Sequence, residues 1–261
     1  MAKRNLGTAR AVVTGASSGI GRETALELAR HGTRLVLTAR RAERLAELKA
    51  EVGALGSTAV IVPGDITDGA VRQQVLEHAV TEFGGLDILV NNAGIGAIGP
   101  FVAADVERLR RVMEVNFFAL VEMTRKAMPL LQQGDRPMIV NISSVLGHRA
   151  VPNKSEYCAS KFAVHGFSDA LRAELVSQGI DVLLVSPSTT ASEFFDQVID
   201  KDADLPAMAA SAMSPRDVAR KAVKAIRSGK HEVILSPGGK LLVWIDRLCP
   251  TLANRLVARF G

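Results

Sequence analysis

Short, almost wholly apolar runs rich in β-branched residues alternate along this chain with longer stretches of helical periodicity, and that alternation constrains the fold more than any other feature. The runs Ala11–Thr14, Arg34–Thr38, Thr58–Val62 and Leu86–Val90 are interleaved with helical patterns from Gly19 to His31, Ala42 to Gly53 and Asp68 to Phe83. Strands and helices in this order imply βαβ units and a parallel sheet. Strands that lack polar alternation are the kind that helices cover on both faces. The pattern continues through a long helix from about Asp105 to Leu131, a strand Met138–Ile142, a helix Ser155–Ser177 and a strand Asp181–Val185. A looser segment follows: Ser186–Ser192 is rich in Ser and Thr, and Glu193–Ser214 reads as a lid. Ser214-Pro215 then opens a helix to Ser228 as N-cap and first-turn proline, and His231–Leu235 is the last strand. No linker divides the chain, so the expectation is one α/β domain over residues 1–237, with 238–261 as a helical extension of the same domain.

At 48% hydrophobic residues, 261 residues can bury one large core. The two cysteines, Cys158 and Cys249, have no paired spacing, so neither a disulfide framework nor a structural metal is expected, and the default compartment is the cytoplasm. The basic start leads into an apolar run that breaks at Thr14-Gly15, which does not read as a secretion signal. No apolar stretch approaches the roughly 18 to 20 residues of a spanning helix. The net charge of +5 would suit an anionic partner, but aromatics are 4% and basic residues are scattered among acids, which argues against nucleic acid. A basic cleft for a phosphorylated cofactor accounts for part of the charge.

The first strand runs into Thr14-Gly15-Ala16-Ser17-Ser18-Gly19-Ile20-Gly21 and then a helix. Glycines at 15, 19 and 21 allow a tight turn, close backbone approach to a diphosphate and close helix–strand contact, with Ser17, Ser18 and Ile20 completing the cradle. The amino end of the helix offers N–H groups and a positive partial charge to that anion. The second strand ends Leu37-Thr38-Ala39-Arg40-Arg41. A carboxylate there would take the adenosine ribose hydroxyls of NAD(H), whereas Arg40 would welcome the 2′-phosphate of NADP(H). The plainer alternative is that Arg40 and Arg41 begin a solvated helix face.

Together these segments resemble the short-chain dehydrogenase/reductase family of Rossmann-type doubly wound sheets, along nearly the whole chain to about Leu235. The resemblance rests on the glycine turn, Asp65 after the third strand, Asn91-Asn92-Ala93-Gly94 after the fourth, Asn116 in the long helix, Ser144 after the fifth strand, and Tyr157 with Lys161. It implies that Asp65 meets the adenine amino group with Ile66 beside the ring, although Asp65 also suits a plain turn. Asn92, Ala93 and Gly94 would lie along the adenosine ribose. Asn116 would hold a water linking Lys161 to solvent, and the backbone of Pro187 and Thr190 would meet the carboxamide. Pro187-Ser188 and Ser192 stand where the family has Pro-Gly and a threonine, which puts the shape of that loop in question. The resemblance also implies a homodimer or homotetramer built through the two long helices.

Tyr157 and Lys161 are four apart on a helix, so they share a face. An ammonium beside the phenol would favour the phenolate and make Tyr157 the acid or base of a hydride transfer. Ser144, thirteen residues before Tyr157, would hydrogen-bond the substrate oxygen, and the spacing selects it over Ser143. The expected activity is therefore an NADP(H)-dependent oxidoreductase acting on a small-molecule carbonyl or secondary alcohol. Two alternatives are a non-catalytic NADP-binding sensor or scaffold, and a membrane-associated lipid- or sterol-modifying reductase of the same fold. Leu146, His148, Val151, Asn153, Phe194 and Phe195 are the expected pocket lining, with His148 read as an ordinary loop residue. In the extension, Leu248, Leu252 and Leu256 form a stripe beside Arg247, Arg255 and Arg259, which Pro250 should split. Packing on this subunit or a partner is the preferred reading of that stripe, and peripheral membrane contact the less favoured one.

Overall fold

The structure is a computed structural model that describes residues 3–191 and 212–260. Its strands are β1 (Arg10–Thr14), β2 (Arg34–Ala39), β3 (Ala59–Pro63), β4 (Ile88–Asn91), β5 (Met138–Ile142), β6 (Asp181–Ser186) and β7 (Glu232–Ile234). They form one parallel sheet in the order β3-β2-β1-β4-β5-β6-β7. The order reverses direction between β1 and β4, and the crevice at the carboxyl ends of those strands is where open α/β sheets bind ligands.

Helices α1 (Gly19–Ala29), α2 (Ala42–Ala54), α3 (Gly69–Phe83), α4 (Val106–Met113), α5 (Ala119–Leu131), α6 (Ser155–Leu175) and α7 (Pro215–Arg227) cover both faces. Within β1, Ala11 and Val13 join a core with Leu28, Leu45, Leu48 and Ile226, whereas Val12 joins a second core with Val75, Ala79, Met123 and Leu131. Alternate residues of a strand point to opposite faces, so a strand apolar at every position requires both layers.

The helix signals act where the residues place them. Asp68 caps α3 by accepting from the Ala70 N–H, and Gly84 ends it at φ +75°. Ser214 caps α7 with Pro215 in the first turn. The expected helix from Asp105 to Leu131 is present with one difference: residues Glu114–Phe118 form a π-helical turn between α4 and α5. The helix from Ser155 gives way to a 3-10 turn after Leu175 and stops at Gly179, φ +67°.

Two further helices, α8 (Pro237–Leu248) and α9 (Pro250–Phe260), break at Pro250 as its missing N–H requires. Of the expected leucine stripe, Leu248 and Leu252 are exposed and Leu256 is half-buried. Among the described residues no helix is long and apolar enough to cross a membrane.

Candidate active site

At the carboxyl end of β1 two turns are stapled together. Gly15 has φ +65° and Gly19 φ +55°. A Cβ on Gly15 would lie 2.8 Å from the Ala93 Cα, and one on Gly21 would lie 2.3 Å from the Gly15 carbonyl oxygen and 2.4 Å from Asn92 Nδ2. Asn92 Nδ2 donates to the carbonyls of Thr14 (3.0 Å) and Gly15 (3.1 Å). Thr14 Oγ1 in turn accepts from the N–H groups of Asn92 (3.0 Å) and Ala93 (3.1 Å). The Asn92 side chain therefore holds the glycine turn. Ser18 begins α1 in extended conformation and no side chain caps that helix. A glycine-tight turn before an uncapped helix end fits a diphosphate, which backbone N–H groups and the helix dipole would hold.

Arg40, the residue singled out for a 2′-phosphate, is exposed, and the next residue is the one that reaches the turn. Arg41 Nε and Nη2 donate to Ser17 Oγ at 3.3 and 3.2 Å. Asp65 Oδ1 accepts from the Thr67 N–H and hydroxyl, both at 2.9 Å, so the turn role is real at that oxygen. Ile66 is buried in the core beside it.

Ser144 follows β5 in extended conformation, and its Oγ accepts from the Leu146 N–H at 3.1 Å. The turn it opens is wedged against α6, since a Cβ on Gly147 would lie 2.7 Å from the Lys161 carbonyl oxygen. From α6, Lys161 Nζ donates to the Ile142 carbonyl at 3.0 Å and lies 5.7 Å from the centre of the Tyr157 ring. The Tyr157 hydroxyl meets that of Ser144. Ser144, Tyr157 and Lys161 are thus brought together at the carboxyl edge of β5.

Burial pushes the Tyr157 phenol well above its ordinary value, and the hydrogen bond from Ser144 pulls it only partway back. Burial likewise lowers Lys161 to about 8. Burial thus opposes charge on each of the two groups.

Asn116 sits in the π turn, fully buried. Its Oδ1 accepts from the Ile95 N–H (2.8 Å), and Nδ2 donates to the Ile95 carbonyl (3.0 Å) and Ser160 Oγ (2.9 Å). With both amide hydrogens taken by protein acceptors, it joins the Gly94 turn to the helix of Tyr157 and Lys161. Gly94 lies between them, as a Cβ there would be 3.2 Å from Asn116 Oδ1 and 3.7 Å from Lys161 Nζ.

Pro187 is buried, and its carbonyl accepts from the Val145 N–H at 2.9 Å. Thr190 Oγ1 donates to the Ser188 carbonyl at 3.0 Å, and Thr190 forms a bridge with Met213. Ser192, Phe194, Phe195 and most of the expected lid lie outside the described residues. His148 lies in the turn that follows Ser144. It is buried, with Nε2 2.9 Å from Ser186 Oγ and 3.6 Å from a Glu232 carboxylate oxygen, and its ring centre lies 4.3 Å from that of His165. Burial, then the neighbouring His165 and Arg247, lower its pKa to about 4, against an opposing pull from Asp169.

Two groups escaped the sequence reading. One is Arg41, whose only signal was its place beside Arg40. The other is the buried pair Arg108–Glu156, in which Nε and Nη2 both donate to Oε1, at 3.0 and 2.6 Å. Glu156 adjoins Tyr157, so this pair ties α4 to the start of the helix that carries Tyr157 and Lys161.

The fold and this edge define a class first: a doubly wound α/β protein whose crevice carries a glycine turn beside a Ser–Tyr–Lys cluster. Within it, a family model described as short chain dehydrogenase matches residues 9–203. The chain belongs to that oxidoreductase family, whose members bind a nicotinamide cofactor and act on small molecules. It is 34% identical over 258 residues to dehydrogenase/reductase SDR family member 7B of Bos taurus, covering 95% of this chain and 79% of that protein. It is 30% identical over 256 residues to ketoacyl reductase HetN of Nostoc sp., covering 96% and 88%. Among solved structures, a short-chain dehydrogenase/reductase from Burkholderia phymatum in complex with NAD superposes with a TM-score of 0.85 at 26% identity, covering 94% of each chain.

Proposed function

We propose that this chain is an NADP(H)-dependent reductase of carbonyl compounds, and dehydrogenase of the corresponding secondary alcohols, with Tyr157 as acid and base. The convergence of Ser144, Tyr157 and Lys161 beside the glycine turn carries the reading. Gly15, Ser17, Ser18, Gly19, Ile20 and Gly21 would hold the diphosphate, Arg40 and Arg41 the 2′-phosphate, and Asp65 with Ile66 the adenine. Ala93, Gly94, Tyr157 and Lys161 would line the riboses, and Pro187 and Thr190 the carboxamide. A bound nicotinamide supplies hydride in one direction and takes it in the other.

The protein groups manage the proton. Ser144 and Tyr157 present hydroxyls to one substrate oxygen, which both polarise before charge develops on it. A phenol kept neutral by burial donates its proton in carbonyl reduction, and the phenolate takes it back in alcohol oxidation. Lys161, held by the Ile142 carbonyl, stabilises the phenolate that remains. Asn116 acts as a positioning residue for this group. The Nostoc relative, named a ketoacyl reductase, agrees with a ketone substrate.

Tyr157→Phe should bind NADPH as the parent does and lose about 100-fold or more in turnover of a ketone, read by NADPH absorbance. Turnover at the parent rate would refute the assignment. Arg40→Ala with Arg41→Ala should weaken NADPH by about 10- to 100-fold and NADH little, since charge-assisted hydrogen bonds contribute about 1.5–3 kcal/mol. Equal losses for both cofactors would refute the NADP reading. The unpaired Cys158 and Cys249 support a cytoplasmic setting. Exposed Leu109, Phe118 and Phe162 on the two long helices support a homodimer or homotetramer through them.

A further inference from the structure

The α8–α9 pair docks by one face only. Val243 and Gly239 of α8 and Ala253 of α9 are buried, and a Cβ on Gly239 would lie 2.7 Å from Val145 Cγ2. Arg149 fastens the pair from beneath, donating to Asp246 Oδ1 at 2.8 Å and Asn254 Oδ1 at 2.5 Å. On the opposite side of α8, Leu241, Trp244 and Leu248 recur at i, i+3 and i+7 and are 61%, 58% and 77% exposed. Leu252 continues the row onto α9 at 46%. Monomer surfaces seldom leave so many large apolar side chains in one contiguous line.

Charge decides what covers it. Residues 237–261 contain Lys240, Arg247, Arg255 and Arg259 against the single acid Asp246, which Arg149 already neutralises. Lys240 and Arg247 fall on one flank of the α8 row at helical spacing, and both are exposed, as is Arg255. A second copy facing this row by a two-fold axis would bring like charges together. An anionic lipid surface instead meets the cations with phosphates and the apolar row with acyl chains, and an interfacial tryptophan is the residue that such a boundary favours. We propose that the exposed face of α8–α9 docks on anionic membrane surfaces in the plane of the headgroups, without spanning the bilayer.

Trp244 is the only tryptophan of the chain, so its emission reports this face directly. The full chain is titrated with vesicles of phosphatidylcholine alone or with about one-third phosphatidylglycerol, and binding is also read by co-sedimentation. The anionic vesicles should shift Trp244 emission to the blue and carry the protein down, with partition falling at least tenfold in 0.5 M salt. Leu241→Gln with Leu248→Gln should abolish partition. Lys240→Ala with Arg255→Ala keeps the apolar row and should lower partition at least tenfold, at about fivefold for each cation lost. Circular dichroism checks that each variant is folded, and a misfolded pair is replaced by Leu248→Gln alone. Unchanged emission and no co-sedimentation would overturn the proposal. So would a blue shift that needs no vesicles, grows with protein concentration and accompanies a rise in sedimentation coefficient, because the face would then join two copies of the chain.

Discussion

Removing Arg108 tests how far the helix of Tyr157 and Lys161 depends on a contact remote from both. The side chains of Arg108 and Glu156 are 2% and 4% exposed. Arg108→Ala leaves the Glu156 carboxylate buried without a cationic partner, held by Ser155 Oγ, which donates at 2.7 Å to its other oxygen, and by the local backbone. Breaking a buried pair from one side costs about 3–5 kcal/mol, because the remaining charge is uncompensated. Set against a typical total stability of about 5–15 kcal/mol, that is a large fraction. Denaturant unfolding followed by circular dichroism should show it as a lower midpoint. Arg108→Met with Glu156→Leu removes both charges and should recover most of the loss, giving a coupling energy of about 2–3 kcal/mol in the double-mutant cycle.

The pH dependence gives an independent check on the same pair. Burial pushes the Glu156 carboxyl up, but Ser155, Arg108 and the local backbone outweigh it, so its folded pKa lies below 4.5. The parent therefore keeps this contribution at pH above about 4.5 and loses it as pH falls through the lowered value. In Arg108→Ala burial acts with less opposition and the folded pKa rises. Protonation then relieves the variant, and the gap to the parent should narrow as pH falls from 7 toward 5. A loss under about 1 kcal/mol, or a double variant as unstable as the single one, would refute the reasoning.

Gly21→Ala should displace the glycine turn, since its Cβ would fall 2.3 Å from a backbone oxygen, and should weaken NADPH at least tenfold by fluorescence titration. Gly53→Ala, with nothing within 4 Å of its Cβ in α2, is the control and should instead raise stability by about 0.5–1 kcal/mol. For Lys161, whose folded pKa of about 8 lies below its ordinary 10.5, the unfolded chain binds the extra proton between those values. The parent should therefore gain stability relative to Lys161→Met as pH rises from 8 toward 10.5, measured as the difference between their unfolding free energies. A flat difference would show that burial does not discharge Lys161.

How much of this was legible in the residues depends on the distance over which each signal acts. The parallel sheet followed from the apolar strands, and the start of α7 from Ser214-Pro215, because these are local preferences. Tyr157 and Lys161 share a face because four residues make one helical turn. Arg108 and Glu156 are 48 residues apart, and nothing near either names the other. His148 likewise became a buried anchor only when β6 and β7 brought Ser186 and Glu232 beneath the Ser144 turn. Titration behaviour was the least legible, since spacing placed Lys161 near Tyr157 but could not show that Lys161 would be buried and Tyr157 partly so.

The π turn at Glu114–Phe118 links these levels. A π turn is less well bonded than the α-helix on either side of it, and such turns occur chiefly where a side chain must be re-aimed. Here the re-aimed side chain is Asn116, a poor helix former that would otherwise weaken the long helix. Its three hydrogen bonds, each of the kind that contributes about 0.5–1.5 kcal/mol, offset the irregular turn. They also join three chain segments, the turn after β4, the long helix and the helix of Tyr157, at one buried point. The glycine cradle, stapled by Asn92 to the turn after β4, thereby acquires a rigid connection to Lys161. That connection explains why the glycine turn and the Ser144–Tyr157–Lys161 cluster, drawn from residues more than a hundred apart, keep one geometry.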